Sequence, residues 1–399
     1  MLRSLLLLLA VLALAACDSN DPKKLALKPA DLVKFEATAK LKKKWSRNGG
    51  SGLDRRFAKF LPALDDNGKI YTVGVDGDVH AFDALTGKRK WKADVDDIQV
   101  SGGIAASDSA VFFGAYSGEI YALSSENGDF LWKTQLSSEM AAPPAASDDV
   151  VAALTIDGRV FLLDAKTGEQ RWRYDQAVPI LTLRGTSSPV LTPTQVIVGF
   201  DSGQILSFSI SDGSTQWEVR GSRPKGRTEL ERIVDIDGTP VLNGGYVYAA
   251  SFQGNLVAIN RSAGRSLWKQ ELSTANNIAV AGGRVFVTTE ESRVMAFNSI
   301  TGEPEWENFE LKRRDIGAPQ VIGDYLAVID KDDYLHLLNQ SDGSFAYRFK
   351  PAGNHFRSPM INANDMLYVF ADNGRLTAYT VHTKPPKKSK KPKKPKSKD

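Results

Sequence analysis

The sequence predicts an all-β fold, an eight-bladed β-propeller with four antiparallel strands in each blade, in which the N-terminal strand closes the ring. Three observations lead to this prediction. A motif such as DGRVFLLDAKTGEQRW at 157–172 recurs at nearly constant spacing, short β-rich runs precede its copies, and the two chain ends carry complementary parts of one more unit. A repeat of roughly 40 residues built from short strands is typical of propellers.

Each copy of the motif has a small or turn-forming residue 14 positions before an aromatic residue and a glycine four positions before it. The steps between successive aromatic residues are 41, 40, 45, 51, 38 and 41 residues, and no insertion falls inside the motif. The seven aromatic residues are Trp91, Trp132, Trp172, Trp217, Trp268, Trp306 and Tyr347. Seven copies at this spacing indicate an array of structural repeats.

Four short strands account for each repeat. Runs such as KIYTVGV (69–75) and YVYAAS (246–251) are rich in β-branched and aromatic residues, which favour strands. The dipeptides DG, SG and NG that follow such runs provide the positive φ of tight hairpin turns. A further strand precedes these runs, as in SSPVL (187–191) and GTPVL (238–242), where the proline suits a strand start.

The chain ends predict the number of blades and the way the ring closes. An eighth copy begins at NGRLTAY (373–379), but its aromatic position falls on Lys388. Near the N-terminus Trp45 stands alone, with no turn motif before it. We therefore expect the Trp45 strand to become the outer strand of the last blade. Such closure removes exposed sheet edges, which are templates for aggregation.

The repeated aromatic residues are predicted to dock each blade onto the next. A buried aromatic side chain covers about 150–250 Å², enough to shield the turn glycine of a neighbouring blade. A role in stacking on a ligand is the alternative, but seven equivalent positions cannot all face one axial site. The predicted docking positions are Trp45, Trp91, Trp132, Trp172, Trp217, Trp268, Trp306 and Tyr347.

The N-terminus is typical of an exported lipoprotein. Arg3 precedes an apolar stretch that is too short to span a bilayer and that ends in Leu-Ala-Ala before Cys17, the single cysteine. This pattern predicts a signal peptide at 1–16, lipidation of Cys17 and a tether over 17–40; a plain secretory signal is the alternative. Asp18 favours retention in the inner membrane by the sorting rule of enteric bacteria, whereas the outer membrane is the location we expect.

The predicted propeller, 41–382, is followed by a tail at 383–399 that is rich in lysine and proline. Residues 384–399 contain nine lysines and one aspartate, a composition that predicts disorder. Lysine runs can bind nucleic acid, but an exported and tethered chain is not expected to meet any. Anionic lipid or the cell wall is the more reasonable partner of the tail, and a purely solvating role is the alternative.

The docking pattern resembles the tryptophan-docking propellers of the quinoprotein (PQQ-like) family. Its dehydrogenases bind a quinone and Ca²⁺, and many carry a disulfide between adjacent cysteines, which a chain with one cysteine cannot form. No metal-binding spacing is evident in the histidines, which are His80, His336, His355 and His382. We expect no cofactor and no metal, and keep a PQQ-dependent dehydrogenase as the alternative.

The lipoprotein signal, the eight repeats and two loop segments together resemble the BamB family, lipoproteins of the outer-membrane β-barrel assembly machinery. The resemblance covers essentially all of 17–382. PILTLRGTSSPV (179–190) is similar to the LxLRG segment of the family, and TELERIVDIDGTPV (228–241) to its DxDxTP segment. Both lie where the repeat is stretched, to steps of 45 and 51 residues. Extra loop length on a rigid scaffold is where binding usually occurs.

The resemblance implies a non-catalytic periplasmic scaffold that binds the barrel protein BamA through one of its POTRA domains. The residues that match the two segments are Leu181, Leu183, Arg184, Asp235 and Asp237. Two alternatives stay open. The leucines could be core strand residues while the aspartates cap turns, or the scaffold could serve another envelope partner.

Overall fold

The structure is a computed structural model that describes residues 28–53, 60–183, 185 and 187–383. Four of the positions singled out in the sequence lie outside the described residues. They are the predicted lipidation site Cys17, its neighbour Asp18, the predicted contact residue Arg184 and the lysine-rich tail from 384 onward.

The described residues form eight four-stranded antiparallel sheets, so the predicted eight-bladed propeller is confirmed. Strand β1 spans Ala39–Asn48, ahead of the first blade. Blades 1 and 2 contain β2 Ala63–Leu64, β3 Lys69–Val73, β4 Asp78–Asp83, β5 Arg89–Asp94, β6 Val100–Ala106, β7 Ala110–Ala115, β8 Glu119–Ser124 and β9 Phe130–Gln135. Blades 3 and 4 contain β10 Ala145–Ala146, β11 Val150–Leu154, β12 Arg159–Asp164, β13 Gln170–Asp175, β14 Val190–Leu191, β15 Gln195–Gly199, β16 Gln204–Ser209 and β17 Thr215–Arg220.

The second half of the ring repeats the pattern. Blades 5 and 6 contain β18 Val241–Asn243, β19 Tyr246–Ala250, β20 Gly254–Asn260, β21 Arg265–Leu272, β22 Ala279–Ala281, β23 Arg284–Thr288, β24 Val294–Asn298 and β25 Pro304–Asn308. Blade 7 contains β26 Gln320–Ile322, β27 Tyr325–Ile329, β28 Leu335–Asn339 and β29 Phe345–Phe349, and blade 8 contains β30 Ile361–Ala363, β31 Met366–Phe370 and β32 Arg375–Thr383. A single 3₁₀ turn, Leu230–Arg232, interrupts the described connection between blades 4 and 5.

The N-terminal strand completes blade 8. The sheet order is β1-β32-β31-β30, and Ala39 pairs with Thr383 while Asn48 pairs with Arg375. The predicted closure by the Trp45 strand is therefore confirmed. Residues 28–38, which belong to the predicted tether, lie against blade 7: the amide of Ala30 donates to the carbonyl of Lys312, and that of Thr38 to the carbonyl of Ala346, at 2.9 and 3.0 Å.

Every tryptophan of the motif reaches the following blade in the same way. The indole Nε1 of Trp172 donates to the carbonyl of Ile210 at 3.0 Å, and a β-carbon on Gly213 would lie 2.8 Å from the same ring. Gly213 has a φ of 73°, so both its conformation and its space favour glycine. The other six tryptophans donate equivalently, over 2.8–3.1 Å, from Trp45, Trp91, Trp132, Trp217, Trp268 and Trp306.

A β-bulge precedes each docking residue. In blade 1, Ala81 of β4 pairs with Trp91 of the outer strand but Phe82 pairs with Arg89, so that Lys90 is the additional residue before Trp91. The same shift occurs between Lys43 and Trp45 in the strand that closes the ring. Bulges bend a strand and redirect its side chains, which aims each indole at the neighbouring blade. How much each indole stabilises the ring stays a prediction.

The junction between blades 7 and 8 is built differently. Tyr347 stacks on Phe349 at 5.5 Å between ring centroids, and Phe349 meets Tyr379 of blade 8 edge-on at 5.4 Å. The buried clusters elsewhere also span neighbouring blades, as where Phe112 of blade 2 packs with Val151 of blade 3. The core is thus a ring of inter-blade contacts. In the part of the chain that the structure describes, no helix is long and apolar enough to span a bilayer.

Candidate partner-binding site

Two connections between blades meet at one end of the ring. Residues 176–189 join β13 to β14, and residues 221–240 join β17 to β18. Because consecutive strands are antiparallel, the connections between blades emerge at the same end as the turn between the second and third strand of each blade. The backbone amide of Phe252, in that turn of blade 5, donates to the carbonyl of Asp235 at 2.9 Å, as this geometry requires.

Asp235 is the buried centre of this region. Its side chain is fully buried, and its Oδ2 accepts a hydrogen bond of 2.5 Å from the amide of Leu183 on the other connection. Ile236 follows in the core between blades 4 and 5, where it is 1% exposed. The predicted contact residue Asp235 is therefore placed beneath the surface. It is joined to the loop that carries Leu183.

The leucines of the same loop face solvent. Leu181 and Leu183 are 38% and 41% exposed, and neither belongs to a strand. Ile180 beside them is 92% exposed, and Val178 also lies at the surface. These four residues form what we call the apolar patch. Exposed apolar side chains that follow one another closely along a loop are typical of an interaction site.

Gly185 closes the loop against the second connection. A β-carbon at Gly185 would lie 2.6 Å from Oδ1 of Asp237, which is closer than real β-carbons approach. Gly199 is crowded in a similar way, because its β-carbon would lie 2.5 Å from the side chain of Ile236. The glycine of the LxLRG segment thus allows the two connections to touch. Arg184, between Leu183 and Gly185, lies outside the described residues.

A third carboxyl group joins Asp235 and Asp237. Asp201, in the turn between β15 and β16, contributes an oxygen within 4.8 Å of oxygens of the other two. Burial, together with the charge of Asp235, raises the pKa of Asp201 to about 7. Burial also raises the pKa of Asp235 to about 6, although the amide of Leu183 opposes this shift. Oxygen donors of this kind could hold a hard cation such as Ca²⁺.

Asp201 was not predicted as a site residue, although the sequence contains a signal for it. The position before the turn motif is apolar in four other blades, where it is Val75, Tyr116, Ile156 and Phe252. An aspartate in that column departs from the repeat beside both stretched connections. The acidic group was also missed because its members lie on two segments that only the folded ring brings together.

The histidines do not assemble into a site. His336 is fully buried and its Nε2 lies 2.9 Å from Asp330, and burial, as the largest cause, lowers the pKa of His336. His80 is buried in blade 1, whereas His355 and His382 are exposed near blade 8. Among the described residues, the only group of three or more potential ligands is the aspartate group at blade 4.

The chain is similar to known proteins over most of its length. The family model described as "Outer membrane protein assembly factor BamB" matches residues 75–308, a range that includes both connections. Proteins of that name from Yersinia pestis and Pseudomonas aeruginosa are 32% and 36% identical; each alignment covers 94% of this chain and 97% or 98% of the relative. The Escherichia coli protein of that name is 31% identical, over 95% of this chain and 99% of its own.

The chain belongs to the BamB family. The crystal structure of BamB from Moraxella catarrhalis superposes with a TM-score of 0.74 at 29% identity, over 85% of this chain and 97% of that one. Quinohemoprotein alcohol dehydrogenase from Comamonas testosteroni superposes with a TM-score of 0.65, but at 14% identity, and this likeness shows the fold alone. In this chain, the LxLRG and DxDxTP segments meet through the hydrogen bond between Leu183 and Asp235.

Proposed function

We propose that this protein is a non-catalytic, lipid-anchored assembly factor for outer-membrane proteins, which binds the periplasmic domains of a BamA-like barrel protein through the apolar patch and Arg184. Relatives named as outer membrane protein assembly factors align with nearly the whole chain. The observation that carries the proposal is the bond between the buried Asp235 and the amide of Leu183, since it holds an exposed apolar loop in one conformation.

The residues of the site have three roles in this proposal. Leu181 and Leu183 are the apolar anchors, and partner surface that covers them is removed from water. Arg184 offers a planar guanidinium that can form two parallel hydrogen bonds to a carboxylate of the partner. Asp235 and Asp237 act as positioning residues, because Asp235 is buried and Asp237 lies against the backbone at Gly185.

The proposal places the protein at the periplasmic face of the outer membrane, anchored through Cys17. The names of the relatives support association with the outer membrane and a role other than catalysis. Asp18 makes the inner membrane the competing location, which membrane fractionation of cells that express the protein would test. Anchoring through acyl chains on one cysteine would leave the propeller free to meet a membrane-bound partner.

A titration tests the partner site. The soluble full-length chain with Cys17→Ser is titrated against the purified periplasmic domains of the BamA-like protein from the same organism. Replacing Leu181 and Leu183 together by alanine should weaken binding about 30-fold, which corresponds to about 2 kcal/mol. Melting temperatures should stay close to that of the parent, because both side chains lie on an exposed loop.

A matched control comes from the opposite end of the ring. Leu85 and Ile300 are 59% and 67% exposed, in turns between the third and fourth strands of blades 1 and 6. Replacing both by alanine removes the same number of exposed apolar side chains and should leave the affinity unchanged. If the Leu181/Leu183 variant binds as tightly as this control, the partner site lies elsewhere.

A further inference from the structure

The outer edge of blade 8 carries an uncompensated row of positive charge. We call it the basic edge, and it consists of exposed side chains on β1 and the adjoining β32, which are Lys40, Lys42, Lys43, Lys44, Arg47 and Arg375. The bulge before Trp45 is the reason that Lys42, Lys43 and Lys44 are all exposed in succession, since it interrupts the strand alternation.

On the outer edges of other blades, basic side chains form salt bridges with neighbouring carboxylates. Lys92 pairs with Asp94 on blade 1 at 2.7 Å, and Lys133 pairs with Glu119 on blade 2 at 2.8 Å. Arg284 pairs with Glu305 on blade 6 at 2.5 Å. By contrast, no carboxylate of the described residues lies within salt-bridge distance of the basic edge. The positive charge at blade 8 therefore remains available to a negatively charged surface.

The chain that leads to the basic edge is fixed to the propeller. Arg314 donates to the carbonyl of Ala30 at 2.9 Å, and Arg348 donates to the carbonyl of Val33 at 3.0 Å. Phe35 is also held, because its ring stacks on Phe345 at 5.4 Å between centroids. Residues 28–38 thus follow the side of blade 7 instead of forming a free linker.

Buried charge organises these contacts. Arg314 is 5% exposed, and its Nε donates to Asp330 at 2.7 Å. His336 lies between Asp330 and Arg348, at 2.9 Å from the carboxylate and 3.0 Å from the guanidinium Nε. Buried charges persist in a fold when they are paired and hydrogen-bonded, as they are here. The network therefore determines where the N-terminal segment leaves the ring.

This arrangement restricts the position of the ring relative to a membrane anchor. Eleven residue steps separate Cys17 from Lys28, so the two are at most about 40 Å apart along an extended chain. An acyl anchor on Cys17, which is part of the proposed function, would keep the side of the ring with blades 7 and 8 near the headgroups. Blade 8 lies four positions from blade 4 in the closed ring of eight, so the apolar patch would be on the far side.

We propose that the basic edge of blade 8 docks on anionic phospholipid headgroups and so orients the propeller on the membrane that holds its anchor. Each lysine near a negatively charged bilayer strengthens binding roughly fivefold at moderate ionic strength. Lysines on an edge strand also prevent edge-to-edge pairing, and this is the competing explanation of the row. If the row binds lipid, removing its charge should weaken binding to anionic vesicles. If it only prevents edge-to-edge pairing, removing the charge should cause self-association.

Vesicle binding without the acyl anchor tests the proposal. The full chain with Cys17→Ser and with the nine tail lysines changed to glutamine is sedimented with vesicles of phosphatidylglycerol and phosphatidylcholine, or of phosphatidylcholine alone. Binding should require the anionic lipid and should be lost at high salt. Changing Lys40, Lys42, Lys43 and Lys44 to glutamine should reduce binding to the anionic vesicles at least tenfold.

The control removes equal charge elsewhere. Lys166, Arg223, Lys225 and Arg265 belong to blades 3 to 5, are exposed, and form no salt bridge with a described carboxylate. Their change to glutamine should alter binding less than twofold. Melting curves and size-exclusion chromatography accompany each variant. The proposal is overturned if the chain with Cys17→Ser and without tail lysines does not bind anionic vesicles, or if the two sets of substitutions reduce binding equally. It is also overturned if the basic-edge variant binds less only because it self-associates. Partner titration with the apolar patch variants is independent of these outcomes.

Discussion

The seven tryptophan-docked junctions and the two connections that flank blade 4 join neighbouring blades in different ways. At each docked junction one indole, one carbonyl and one glycine meet in the same geometry, as with Trp172, Ile210 and Gly213. At blade 4 the contacts occur once in the ring, and buried Asp235 holds the backbone at Leu183. Five of the seven docking tryptophans are buried, and Trp268 and Trp306 are partly buried, whereas the irregular connection before blade 4 exposes apolar side chains.

Stability and recognition are therefore located in different parts of the repeat. A docking contact that recurs around the ring can stabilise it but cannot distinguish one partner from another. Of the two stretched connections, the one over 221–240 adds Ile236 to the core, whereas the one over 176–189 presents Leu181 and Leu183 at the surface. Substitutions at the two kinds of position should therefore separate folding from binding.

Loss of the closing strand should have the largest effect. A chain that starts at Ser46 lacks most of β1, so blade 8 exposes β32 as a new edge and blade 1 loses the indole of Trp45. We expect aggregation or loss of cooperative unfolding, measured by chromatography and thermal melting. A melting curve like that of the full mature protein would contradict closure by this strand.

Loss of one docking residue should cost less than loss of the strand. Trp172→Ala should lower the free energy of unfolding by about 3–5 kcal/mol, as for other large aromatic truncations in cores. Chemical denaturation measures the loss, and the fraction that stays folded should bind its partner normally. Phe130→Ala removes an aromatic side chain that is 57% exposed on an outer strand, and serves as the control. A loss below about 1 kcal/mol at Trp172 would refute the docking role.

Arg184→Ala should show the reverse pattern. We expect partner binding to weaken by at least about 2 kcal/mol, because a guanidinium at an interface is a frequent hot spot. The free energy of unfolding should change by less than about 0.5 kcal/mol. Calorimetric titration with melting curves measures both, and Arg89→Ala on the exposed edge of blade 1 is the charge-matched control. Unfolding of the Arg184 variant without a binding defect would place that residue in the scaffold.

The acidic group at blade 4 should give the smallest effect, and it should depend on pH. The pKa of Asp201 rises from an ordinary 3.8 to about 7 in the folded protein, so the folded state holds this proton more tightly than the unfolded state. Ionisation of Asp201 therefore lowers the free energy of unfolding increasingly as pH rises from about 4 to 7. Below about pH 4 this destabilisation is absent. Asp201→Asn should raise the free energy of unfolding by about 1–2 kcal/mol at pH 8 and by less at pH 5.

Denaturation of both proteins at the two pH values checks this prediction. Asp212→Asn, on the same blade, is the control, since hydrogen bonds from Ser214 lower the pKa of that carboxyl and its replacement should give no such gain. An Asp201 variant that is equally stabilised at both pH values would show that the charge of the carboxylate is not the cause.

Much of the fold could be predicted from the sequence because its determinants are local. The turn glycine and the docking aromatic lie four residues apart in each motif, and the strand runs alternate with turn dipeptides. Trp45 has no turn motif before it, and the eighth motif has Lys388 at the position of its aromatic residue. Together these two observations predicted how the ring closes. The two segments near Leu183 and Asp235 were also identified, because they lengthen an otherwise regular spacing.

The contacts across the ring, by contrast, depend on the folded arrangement of distant segments. Asp235 is buried beneath Leu183, Asp201 joins it from a different turn, and residues 28–38 are held by Arg314 and Arg348. These contacts join positions that are tens or hundreds of residues apart, and no local pattern encodes them. They follow from the closed ring, which brings the ends of separate strands to one side and leaves polar groups there that must find partners.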